Sequence, residues 1–206
     1  MKLRDVPLHR YQKFAVLDNP TNDDLLKCVL GITQQELNKM PNDTAEKTLA
    51  KIKEELELEY ELVKTFKLNG EHYGFIPNLD DITYGENIDV SKYITDYGSM
   101  HKAMAVLYRP IKQKINDKYL INDYEGTYSY AEKMKQMPLH IVLGAIVFFY
   151  NLTNELLNCT LNYLETQLKM GKESQAQIIS QENGEDILNS IHSLKETLQG
   201  LRKSQN

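Results

Sequence analysis

One stretch limits what this chain can become more than any other. From Leu139 to Leu168 apolar residues recur at helical spacing, through Leu139, Val142, Leu143, Ile146, Phe149, Tyr150, Leu157, Leu161, Leu164 and Leu168. Residues three or four apart share a helix face, so the run predicts one long helix with a broad apolar side. Pro138 stands at its first turn, where a missing N–H costs nothing. The most apolar part, Leu139 to Tyr150, is shorter than the roughly 20 residues that span a bilayer, and Asn151, Asn154 and Glu155 follow it. The helix is expected at the centre of a core, with no membrane contact.

The elements upstream are mostly helical. A short helix is expected over Asn22 to Leu30, stopped by Gly31. Thr33 and Glu36 have capping-box spacing, in which each side chain satisfies the other's backbone amide. Asp43 is the expected N-cap of a helix carrying Leu49, Ile52, Leu56 and Val63. The pattern then switches. Val63 to Leu68 and His72 to Ile76 flank Asn69-Gly70, a hairpin signal because a type I′ turn needs positive φ at both central residues. Lys118 to Asn122 is a weaker extended candidate. Further helices are expected around Ile88 to Ile94, from Met100 to Tyr108 before Arg109-Pro110, and from Ser129 to Met137. The fold class read from this is mainly α: a helical core around one long central helix, a small β-hairpin near 63–76, and a C-terminal amphipathic helix.

Length and the tail divide the chain. On a scale of roughly 100–200 residues per domain, 206 residues leave room for one core domain and a short appendage. Residues 1–170 are read as that domain, 171–184 as a polar linker and 185–203 as an interaction helix. In the last, Ile187, Ile191, Leu194, Leu198 and Leu201 form a heptad seam. So short a helix is marginal alone in water, and it should dock on its own body, a second copy or another protein.

Chemistry is sparse. His9, His72, His101, His140 and His192 show no metal-binding spacing, and Cys28 and Cys159 are isolated from one another. The carboxylates of Asp80 to Asp89 miss the calcium-loop positions, and helix caps from Asp81 or Thr83 explain them better. No phosphate loop, dinucleotide fingerprint or nucleophile elbow is present. No cofactor, metal or catalytic residue is assigned. The net charge of −5 removes the basic footprint of a nucleic-acid binder. Tyr119, Tyr124, Tyr128 and Tyr130 beside Lys112, Lys114 and Lys118 could stack on a single strand, but Asp117, Asp123 and Glu125 cancel that charge. They read as an interface or the edge of a core.

Four runs carry a resemblance: Phe66 to Phe75, Asp81 to Asp89, His101 to Pro110, and Met137-Pro138-Leu139 through Phe149. Together, over roughly Val63 to Leu157, the chain resembles small structural or morphogenesis proteins of tailed bacteriophages, including crAss-like phages of gut Bacteroidales. The resemblance brings no catalytic residues with it. It implies a non-enzymatic virion component, such as a head–tail connector, a tail-associated protein or a packaged protein, assembled in the cytoplasm of the infected bacterium. Its partners would be other phage structural proteins in a symmetric homo-oligomer or multi-copy assembly, where repetition strengthens weak contacts. A tail-assembly chaperone absent from the finished particle is the alternative, and a small phage enzyme with a dispersed acidic site the third. The residues expected to touch partners are the heptad seam and, on a basic-aromatic N-terminal arm, Arg10, Tyr11 and Phe14.

Overall fold

The computed structural model describes residues 3–116 and 118–174. The chain divides into two units between Phe148 and Phe149. The first begins with α1 (Leu8–Ala15), stitched to a distant part of the chain by its own backbone. Leu8 N donates to Met137 O at 2.8 Å, Leu139 N donates to Val6 O at 2.8 Å, and Val6 and Leu8 are fully buried. Val6 and Leu8 are therefore part of the core.

Local sequence explains the next three helices. α2 (Asn22–Leu30) opens on a Thr21–Asp24 capping box and ends at Gly31, whose φ of 68° suits a residue without Cβ. The same box, from Thr33 and Glu36, starts α3 (Gln34–Asn38). α4 (Asn42–Leu56) departs from expectation at both ends. Its N-cap is Pro41, whose carbonyl accepts from Thr44 N and Ala45 N, while Asp43 pairs with Lys47 at 2.8 Å one turn on. It stops at Leu56, so Val63 lies beyond it in the chain leading to the sheet.

The sheet is larger than a hairpin. β1 (Thr65–Leu68), β2 (Glu71–Phe75), β3 (Tyr108–Ile115) and β4 (Lys118–Ile121) form an antiparallel sheet in the order β1-β2-β3-β4. The Asn69-Gly70 turn has φ of 49° and 88°, as the two-residue hairpin requires. β3 follows α6 (Met100–Leu107) without a loop, and it carries Pro110 opposite Tyr73. A register shift between Ile111 and Gln113 marks a bulge, and a bulged strand bends. The bend folds the β3–β4 hairpin back until the Tyr119 ring lies where a side chain on Gly74 would be.

One face of the sheet is aromatic. Phe66 stacks on Tyr73, and Tyr108 meets both Phe66 and Phe75 edge-on. Phe148, on α8 (Leu139–Ser174), closes on Phe75 from the helical side at 5.6 Å. Such pairs contribute about 0.5–1.5 kcal/mol each beyond the area they bury. Gly144 lets the chain at Glu61–Leu62 lie directly on α8, since any Cβ there would run into the Glu61 carbonyl. On the other face stand Arg109, Gly74, Tyr119 and Ile121, with α5 (Tyr84–Tyr93) against Arg109.

The expected fold class is therefore corrected. The protein combines helices with a four-stranded antiparallel sheet, and α8 is not a central helix. Among the residues of α8 whose burial is described, the buried apolar ones are Leu139, Ile141, Val142 and Ala145, in the first two turns, while Tyr163 and Leu164 are exposed. The core is instead centred on α6, in which every residue except Lys102 is buried, packed on α5 and α7 (Tyr128–Met134). An apolar stripe shows that a helix can be covered, but not by what or for how far. α8 runs through Gly171 to Ser174, into the segment read as a linker. Residues 175–184 and the expected C-terminal amphipathic helix lie outside the described residues.

Candidate functional site

Three arrangements in the first unit gather polar groups or exposed apolar ones. The first is a buried ion pair. Arg109 on β3 reaches Glu86 in the first turn of α5, with side chains 7% and 4% exposed. Glu86 also accepts from Thr83 N at 2.6 Å, as the capping-box residue of that helix. Burial pushes the Glu86 carboxyl up, but the Thr83 hydroxyl and amide and the Arg109 guanidinium outweigh it and hold its pKa below the usual range. The guanidinium lies over the Tyr124 ring, and the Tyr124 hydroxyl donates to Asp89. Arg109 Nε is buried with no hydrogen-bond partner among the described residues. The cluster ties α5 to the sheet, and its charged groups are closed on one another.

The second is Gln12 with His101, both buried. Gln12 Nε2 reaches Tyr97 O at 2.8 Å, Gly98 O at 2.9 Å and His101 Nδ1 at 3.0 Å. That nitrogen can accept only while the imidazole is neutral. Burial, then the charge of Lys135, hold the His101 pKa below 6.5. This pair fastens α1 to the start of α6.

The third is an open groove of about 660 Å³ where the folded-back hairpin faces the end of β2. Phe75, Ile76, Leu62 and Phe148 line its apolar side, and Ile115, Tyr119 and Leu120 wall it from the hairpin. Its shape is fixed by long-range bonds. The Tyr119 hydroxyl donates its one proton to Phe75 O at 2.8 Å with Lys64 O also within reach at 3.2 Å, and the Tyr108 hydroxyl donates to Val63 O at 2.9 Å. Ile115 and Leu120 are 61% and 59% exposed, unusual for side chains whose neighbours are so well anchored. Lys64 and Lys118 are the charged residues on the rim, and no described carboxylate lines it. The groove offers apolar surface with positive flanks.

Of the residues expected to touch partners, Arg10, Tyr11 and Phe14 stand on α1 and do not line the groove. Arg10 packs its guanidinium on Gly31 and donates to Leu30 O at 3.2 Å, capping the C-terminus of α2 from inside the molecule. Tyr11 is half-buried between the rings of Phe14 and Tyr97. Ile187, Ile191, Leu194, Leu198 and Leu201 lie outside the described residues. Cys28 is half-buried, with its thiol pKa raised by burial and by Asp24, and Cys159 is exposed. Among the described residues no three His, Cys, Asp or Glu side chains group as a metal site, and no helix is long and apolar enough to cross a membrane.

Sequence reasoning missed the groove because it missed β3. The signal there is weak: in Ile111-Lys112-Gln113-Lys114-Ile115 the two apolar residues are four apart, a spacing a helix shares, and only Asn116, at φ 54°, marks a turn before β4. Pro110 and the lysines hid it. Comparison with protein families, with curated proteins and with solved structures gives no match.

Proposed function

We propose that the protein is a non-enzymatic structural component of a tailed bacteriophage particle, working through protein–protein contact as a connector, tail-associated or packaged subunit. The observation that carries the reading is the groove. It is an exposed apolar site with a positive rim on a scaffold whose own polar clusters are closed, and exposed apolar patches on well-packed proteins mark contact sites. The four runs that resemble phage morphogenesis proteins support it further. They fall on β1–β2, the first half of α5, α6 with the start of β3, and the first turns of α8, and they supply Phe75 and Phe148 to the groove.

Mass spectrometry of purified particles of the encoding phage tests this. A fixed copy number in the particle is expected. Presence in infected cells with absence from finished particles would overturn it and favour a tail-assembly chaperone. Removing residues 184–206 tests the heptad seam separately: loss of incorporation is expected, and normal incorporation would remove that seam from the list of contacts.

A further inference from the structure

The groove has one rim of positive charge, and the chain that enters it carries the opposite sign. Between Glu54 and Leu62 the sequence holds five glutamates and no lysine or arginine. Glu57, Leu58 and Glu59 are exposed, and Leu58 at 55% is among the most exposed leucines of the protein. Lys64 and Lys118 are exposed as well. None of the ion pairs among the described residues uses Glu57, Glu59, Lys64 or Lys118. Among the described residues no ion pair matches the two carboxylates that flank Leu58, nor the two ammonium groups that flank the groove.

The two features are close in the chain. Leu58 and Lys64 are six residues apart, within about 20 Å at full extension of the chain. A surface that carries both a group and its complement side by side is self-complementary about a twofold axis, where each contact is made twice. We infer that the occupant of the groove is a second copy of this chain, whose Glu57-Leu58-Glu59 segment seats Leu58 against Ile115 and Leu120 while its carboxylates meet Lys64 and Lys118. The reciprocal contact forms at the same time, giving a twofold dimer. This rests on the contact reading above and names the partner for its site.

The test uses the full chain and two charge-reversed variants, K64E/K118E and E57K/E59K, in sedimentation equilibrium across protein concentration and salt. The wild-type protein should dimerise, more weakly as salt screens the pairs. Each variant alone brings like charges together at both contacts, and its dimerisation should weaken by ~10-fold or more. An equimolar mixture should restore dimers near wild-type affinity, because each variant then supplies what the other has lost. Circular dichroism checks that both fold. If either does not, Leu58→Ser replaces it, and weakened dimerisation is again expected. A wild-type protein that stays monomeric, variants that dimerise undiminished, or folded variants that fail to complement would each overturn the dimer. A monomer in solution would leave the particle measurement to decide the virion reading independently.

Discussion

The two halves of β3 are one strand in two environments. Tyr108, Arg109 and Pro110 are buried, each tied to a residue far along the chain. Lys112 to Ile115 are exposed, and Ile115 among them is 61% exposed. The bulge at Ile111 to Gln113 divides them. The buried half is fixed by mutual satisfaction of charges and rings, and it contributes stability. The exposed half leaves apolar surface unsatisfied at a fixed position, and that is what a contact surface needs.

Substitutions should separate the halves by size of effect. Arg109→Met strands a buried carboxylate on Glu86 and should cost about 3–5 kcal/mol in urea denaturation. Adding Glu86→Leu should recover much of that, since an apolar pair removes the stranded charge. A loss well below that range for Arg109→Met would break the contrast at its strongest point. Next comes the join between the halves. Gly74→Ala places a methyl group inside the Tyr119 ring, which its hydroxyl's hydrogen bond to Phe75 O holds in place, so about 1–3 kcal/mol should be lost on thermal melting.

Acidification probes the buried side without mutation. The folded-state pKa of His101 is lowered, so the unfolded chain takes up a proton first as pH falls below 6.5. Its contribution is therefore present above that pH and is lost as pH falls through the folded value. Stability followed by chemical denaturation should decline below pH 6.5, and His101→Gln should flatten that decline. A decline of equal slope in the variant would assign it to other groups. The smallest effect belongs to the exposed half. Ile115→Ser and Leu120→Ser should change stability by no more than about 0.5 kcal/mol, while weakening self-association. A large stability loss would show that these side chains are packed after all.

Much of the local structure was legible. The Thr33–Glu36 capping box, the Gly31 stop and the Asn69-Gly70 turn follow from chemistry within a few residues, and the helices beginning near Asn22 and Met100 were readable from spacing. The sheet was half legible. β1 and β2 announced themselves through their turn, whereas β3 was masked by Pro110 and by a lysine-rich half whose place is set by partners elsewhere. Arg10 shows the same limit at the site. A cation beside aromatics near the chain start reads as an arm, yet it completes the end of a helix 20 residues away.

By itself, the sequence determined where backbone groups could be satisfied locally, and hence which helices start, which turn closes a hairpin, and that a long apolar stripe exists. The tertiary structure decided what covers that stripe, that α6 lies at the centre, and that the β3–β4 hairpin folds back onto β2. Those outcomes depend on groups far apart in the chain: Arg109 with Glu86 at a separation of 23 residues, and Tyr119 with Phe75 at 44. Periodicity reports which face of an element is apolar. Only the assembled neighbours decide whether that face is buried or, as at Ile115 and Leu120, left open to another molecule.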